Sequence, residues 1–221
     1  GEYNFQTKFY GENSFRIGSN IGLFDRLTIG FSYGADNFVG DEKPEWYEHV
    51  DFKAKFQLLT ETLNIPQLSV GFDSEGHGSW SEELERYTIK SKGFYAVIAK
   101  HDMLLKGSGM LFGLNRSMED TAEDRDLNAF VVFNQQIGED LNFIVEYDCA
   151  FNDNDDQPSN ELEKFGSGKG YLNFSASWYL IPELQFRFSA FDLLDNSPES
   201  LDNSEDSMFD RAFEIIYTTK F

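Results

Sequence analysis

The chain has 221 residues, enough for one large β domain or two small ones. Its 39 acidic against 18 basic residues give a formal charge of −21, which argues against nucleic acid or an anionic lipid surface as a partner. Aromatic residues make up 16% of the chain, too much apolar surface for a disordered acidic protein, and the single cysteine, Cys149, excludes an internal disulfide and a cysteine-based zinc site.

No run of about 20 apolar residues is present, so a transmembrane helix is not expected, and no secretory signal is recognisable. The mean hydropathy of −0.46 does not exclude strands that hide their hydrophobicity in alternation.

Alternation begins at once. Tyr3, Phe5, Thr7 and Phe9 oppose Asn4, Gln6 and Lys8; Phe15, Ile17 and Ile21 oppose Arg16 and Asn20; Leu27, Ile29, Phe31 and Tyr33 oppose Thr28, Gly30 and Ser32. A polar segment, 34–49, follows. Val50, Phe52, Ala54, Phe56 and Leu58 then oppose Asp51, Lys53, Lys55 and Gln57, a pattern that predicts one wet and one apolar side. Leu68, Val70 and Phe72 make the next strand, and a second long polar segment runs 75–91. Strands follow over 93–100 and, with Met110, Phe112 and Leu114 on one face, over 110–115. Another follows over 129–135; the facing of 93–100 and 128–135 is ambiguous. Leu141, Phe143, Val145 and Tyr147 oppose Asn142, Glu146 and Asp148. Leu172, Phe174, Ala176, Trp178 and Leu180 oppose Asn173, Ser175, Ser177 and Tyr179. Leu184, Phe186 and Phe188 oppose Gln185 and Arg187. In the last stretch, FEIIYTTKF, Phe213, Ile215, Tyr217 and Phe221 share one face, with Glu214 and Lys220 on the other. All five prolines fall between the strands, as an unbroken ladder requires.

Twelve strands, an even number, are thus expected. Connections 23–26, 59–67, 101–108, 136–140 and 181–183 are short; 34–49, 75–91, 118–127, 151–170 and 192–211 are mostly long and hold, with Glu12, nearly all the negative charge. Successive antiparallel strands put the long connections at one end. The expected fold is all-β: a single domain over 1–221, forming a closed antiparallel up-and-down transmembrane barrel with short periplasmic turns and long acidic external loops. The closing strand pairs with the first and presents Phe213, Ile215, Tyr217 and Phe221 to lipid. Tyr10, Tyr33, Tyr171, Trp178, Tyr179, Tyr217 and Phe221 suit interfacial belts, and Trp46 and Trp80 read as caps over the mouth.

The same register sends Lys8, Arg16, Lys53, Lys55 and Arg187 into the lumen, with Glu146 and Asp148 on roughly the opposite wall from the first four strands. Two readings follow: a transverse field across a narrow polar channel, or cross-lumen ion pairs that plug the interior. Twelve strands lie between barrels filled by side chains and barrels with an aqueous bore, which favours a plugged or very narrow lumen. Inward Gly30, Gly71 and Gly113 make room for long neighbours.

Chemistry beyond this is sparse. Asp153, Asp155 and Asp156 offer oxygens to Ca²⁺, but their loop lacks the glycine and distal glutamate of the EF-hand. A solvated loop is the stronger reading, so no cofactor is expected beyond loosely held Ca²⁺. His77, in EGHGSW, would need a partnered nucleophile or base to act as a hydrolase; His101 is expected at the other end, so the chain reads as non-enzymatic.

Residues 21–34 (IGLFDRLTIGFSYG), 65–78 (IPQLSVGFDSEGHG) and 86–94 (RYTIKSKGF) resemble YjbH-like outer-membrane β-barrel proteins linked to exopolysaccharide production. The resemblance implies an outer-membrane location and a role beside polysaccharide export, and carries over no catalytic residue. The expected function is that of a structural or accessory barrel in a Gram-negative envelope assembly. Its expected partners are outer-membrane lipid, lipopolysaccharide and other envelope proteins. The alternative is a narrow passive channel for small solutes.

Overall fold

The computed structural model describes residues 1–11, 13–40, 43–81, 85–119, 126–154, 168–197 and 210–221. Its strands are β1 (Glu2–Tyr10), β2 (Ser14–Leu23), β3 (Leu27–Asp36), β4 (Glu45–Trp46), β5 (Asp51–Leu59), β6 (Gln67–Asp73), β7 (His77–Ser81), β8 (Arg86–Ile89), β9 (Gly93–His101), β10 (Ser108–Ser117), β11 (Asn128–Ile137), β12 (Leu141–Asp148), β13 (Tyr171–Ile181), β14 (Leu184–Phe191) and β15 (Asp210–Lys220). Twelve of them close an antiparallel ring in the order β1, β2, β3, β5, β6, β9, β10, β11, β12, β13, β14, β15, and β15 returns to β1. The seam runs from Glu2 opposite Lys220 to Tyr10 opposite Ala212. β4 is a two-residue addition beside β3, and β7 pairs only with β8.

The barrel is apolar outside and polar within. Among the described residues, the buried set is mostly polar and includes Ser14, Ser32, Ser69, Ser108, Asn128, Ser177, Gln185 and Ser189. The exposed set includes Phe31, Phe52, Phe56, Ile98, Phe112, Leu114, Phe188, Phe213 and Tyr217. Scattered apolar side chains on a surface are ordinary; a continuous belt of them around a polar interior is not, and it is the surface that a bilayer solvates. Phe213, Tyr217 and Phe221 lie on that outer face as expected, with Ile215 in the same phase.

Cross-strand register settles the two ambiguous strands. Tyr95 and Val97 face inward from β9, with Phe94 and Ile98 outward; Phe130, Val132 and Asn134 face inward from β11, opposite Asp148, Glu146 and Ile144. The inward glycines do make room: a Cβ on Gly71 would lie 2.4 Å from the Tyr95 hydroxyl oxygen, and one on Gly113 would lie 2.1 Å from Phe130 Cζ.

Three aromatic expectations need correction. Tyr10 turns inward, where its hydroxyl hydrogen-bonds that of Tyr47, and Tyr171 is buried against Asp153; Tyr179 shares the inward phase of β13. Tyr10 and Tyr171 belong to the interior because their hydroxyls find polar partners there, whereas Tyr33, Trp178 and Tyr217 remain outside. Trp46 does not cap the mouth. It stacks on outward-facing Tyr33, with ring centroids 5.8 Å apart and planes within 10°. The side chain of Trp80 lies outside the described residues.

Candidate functional site: the lumen and its inserted hairpin

The odd positions of β6 point inward, and the same phase continues past its end: Ser69, Gly71, Asp73, then Glu75 and His77. The connection from β6 to β9 is therefore not a solvated loop. It carries the β7–β8 hairpin into the mouth of the barrel, with the Tyr87 ring packed so closely on Gly76 that a side chain there would have no room.

Glu75 fixes the root of this insertion. Its carboxylate lies 3.0 Å from Arg16 Nη1 and 2.9 Å from Lys53 Nζ, and it accepts a 2.8 Å hydrogen bond from Ser32 Oγ. Burial alone would raise the Glu75 carboxyl, but Arg16, Lys53 and Lys8 together pull it well below the usual carboxylate range. Arg16, only 3% exposed, also pairs with Asp51 at 3.7 Å and lies over the Tyr47 ring at 5.0 Å. Such a guanidinium is tolerated because charge and π partners surround it.

Further along, His77 Nε2 sits 3.2 Å from Asp210 Oδ2, off the angle of a hydrogen bond, and its ring packs 4.1 Å from that of Phe191. Burial holds the His77 imidazole below its ordinary value, against the opposing pull of Asp210. Among the described residues no hydroxyl or thiol hydrogen-bonds His77. His101 pairs with Glu61 at 2.6 Å on the opposite rim, so the two histidines are separate, as expected; His101 and Lys100 hold the Glu61 carboxyl down at about 2.

The far side of the hairpin is fixed by side chains from two other connections. Arg86 Nη1 and Nη2 donate to Asp153 Oδ1 and Oδ2 at 2.5 and 2.9 Å, and the Tyr171 hydroxyl donates to Asp153 Oδ2 at 2.8 Å. Lys90 Nζ donates to the Asn152 carbonyl at 2.8 Å. Glu119 accepts from the backbone N–H groups of Tyr87, Ser91 and Lys92 at 2.8, 2.6 and 2.8 Å. The hairpin thus touches the wall at β2–β5, at β14–β15 and at β12–β13.

Beside it lies a cavity of about 340 Å³, bounded by Asp73, Glu75, His77 and Lys90 on one side and by Tyr95, Phe130, Glu146 and Asp148 on the other. Glu146 accepts from Asn173 Nδ2 at 2.9 Å, and Asp148 from Asn128 Nδ2 and the Ala150 N–H, both at 2.7 Å. Neither carboxylate is in an ion pair among the described residues, so the cross-lumen pairs expected of them do not form: the hairpin's own Glu75 takes the facing cations. Lys8 lies 5.5 Å from the rings of Tyr10 and Phe191, Lys55 is exposed on the inner wall, and Arg187 pairs locally with Glu214 at 3.8 Å.

The Ca²⁺ reading of Asp153 also gives way, because both its oxygens are taken by Arg86 and Tyr171. Asp155 and Asp156 lie outside the described residues. Sequence reasoning missed Glu75, Arg86 and Glu119; extending the β6 alternation by one step would have found Glu75, whereas nothing local marks the other two.

No protein-family model and no curated protein sequence matches the chain. Among solved structures its fold is similar to the KdgM porin, with a TM-score of 0.56 at 5% identity, covering 100% of this chain and 99% of that one. KdgM in complex with disordered oligogalacturonate gives 0.54 at 6% identity, over 100% of this chain and 99% of that one. The NanC porin gives 0.54 at 9% identity, over 99% and 100%. The likeness is one of fold: a closed twelve-stranded antiparallel barrel of the same extent.

Proposed function

We propose that this protein is a non-enzymatic outer-membrane channel for small solutes, narrowed by its β7–β8 hairpin. The observation that carries the reading is a polar lumen inside a closed apolar-coated barrel, with a cavity of about 340 Å³ left beside the hairpin. The fold likeness to porins supports it. The acidic long-loop end and the carboxylates of Glu146 and Asp148 favour cations over anions at the mouth. A polyanion such as the oligogalacturonate of the KdgM complex suits this lumen poorly.

Reconstitution in planar bilayers tests the reading. Small single-channel steps are expected, with a reversal potential of cation-selective sign in a salt gradient. Barrels that show heat-dependent gel mobility yet carry no current would overturn it.

A second reading, an accessory barrel within an envelope assembly, has one observation in its favour. The short-turn rim exposes Phe24 (88%), Leu63 (95%), Met103, Leu104 and Leu105 over adjoining sectors of the barrel. Isolation of a stable complex through this rim, from barrels that do not conduct, would favour that role, including the one beside polysaccharide export that the resemblance implies.

A further inference from the structure

We propose that Arg86, Asp153 and Glu119 form a clasp that keeps the hairpin in the lumen, and that undoing this clasp is the opening transition of the channel. The proposal deepens the channel reading, on which its conductance arm rests.

The clasp joins three connections that are remote in sequence. Arg86 is 67 residues from Asp153, and Glu119 lies 32 residues beyond Tyr87, whose N–H it accepts. Arg86 and Asp153 are each buried to within 2% of full burial, and the pair is bidentate. Neither charge tolerates burial without the other, so a half-withdrawn hairpin leaves a guanidinium or a carboxylate in a dry site. That condition gives the hairpin two positions rather than a continuum.

The receiving side is built for the closed position. Asn128 donates from Nδ2 to Asp148 and accepts at Oδ1 from the Phe151 N–H, and the Asp153 N–H donates to the Ala150 carbonyl. The turn that carries Asp153 is therefore held by the wall, and the carboxylate waits in place for the hairpin. Glu119 does the same for the backbone. Its own N–H is held by Ser117 Oγ, and its two oxygens accept from the N–H groups of Tyr87, Ser91 and Lys92. The root at Glu75 is a separate attachment, to β2, β3 and β5. Release of the clasp leaves the hairpin tethered there, and the Lys90–Asn152 hydrogen bond and the His77–Phe191 contact must part with it as the hairpin swings from the lumen.

Two measurements on the intact, refolded barrel test this. The first is trypsin cleavage after Arg86, read by mass. It should be slow in the wild type and fast in Asp153→Asn, and the Arg86→Asp/Asp153→Arg exchange should restore wild-type conductance. The second is single-channel conductance, expected to rise at least about twofold in Asp153→Asn, because the wall rather than the hairpin then limits a twelve-strand lumen. Rapid cleavage after Arg86 in a heat-modifiable wild-type barrel would overturn the clasp. Released hairpin with unchanged conductance in Asp153→Asn would overturn its role in opening and leave the channel reading standing. If the wild type and Asp153→Asn are both silent, the channel reading fails together with the opening step, whatever trypsin reports.

Discussion

The two halves of the inner wall hold their charges in different ways. Along β1–β5 the charges are ionic and satisfied by an inserted acid: Arg16 and Lys53 converge on Glu75, with Asp51 behind. Along β11–β13 the charges are carboxylates satisfied by amides and N–H groups, as Glu146 is by Asn173 and Asp148 by Asn128 and Ala150. The first half commits Arg16 and Lys53 to holding the hairpin, while Lys8 and Lys55 are in no ion pair among the described residues. The second keeps its charge uncancelled and turned towards the cavity. One lumen thus holds both signs of charge, and holds them by different means.

The comparison is broken most severely by Glu75→Gln. It leaves Arg16 buried and short of its principal carboxylate, at a cost of about 3–5 kcal/mol to the folded barrel in denaturant titrations. The same carboxylate sets a pH signature. Because its folded value lies below the unfolded value of about 4.3, its stabilisation is complete at neutral pH and drains away as pH falls through the folded value. The acid limb of a stability–pH curve should be shallower in Glu75→Gln.

Gly113→Val challenges the other half by volume rather than charge. Its Cβ would collide with the Phe130 ring, and overpacking of this kind costs about 1–3 kcal/mol. Asp148→Asn is milder in stability, within about 1 kcal/mol, since the carbonyl still accepts from Asn128. Its effect should appear instead as a reversal potential closer to zero. Lys55→Gln sharpens the contrast from within the basic half: Lys55 has no ion-pair partner among the described residues, and stability should change by less than about 0.5 kcal/mol.

The barrel was legible in the sequence because each spanning strand repeats a period of two against a lipid face, a local signal that needs no partner. The closing strand, the strand number and the inward phase of Lys8, Arg16, Lys53, Glu146 and Asp148 all follow from it. The hairpin was not legible. Arg86 and Lys90 sit in the polar segment 75–91, and the groups that hold them, Asp153 and the Asn152 carbonyl, lie more than sixty residues away. Tyr10 and Tyr171 were misplaced for a related reason: amphipathic rings suit either an interface or a polar interior, and only the hydroxyl's partner decides between them.

The seam between β1 and β15 has a mechanical consequence. The Gly1 nitrogen donates to the Phe221 carbonyl at 3.2 Å, so residues 1 and 221 meet at one rim, and the nine paired positions run away from that point in a single file. A force that pulls residues 1 and 221 apart loads one ladder rung at a time and peels the barrel open like a zip. A force applied instead between the Glu2 end of β1 and the Asp210 end of β15 runs along the strands and loads all nine positions at once. The cylinder therefore has a soft direction, set at the rim where residues 1 and 221 meet.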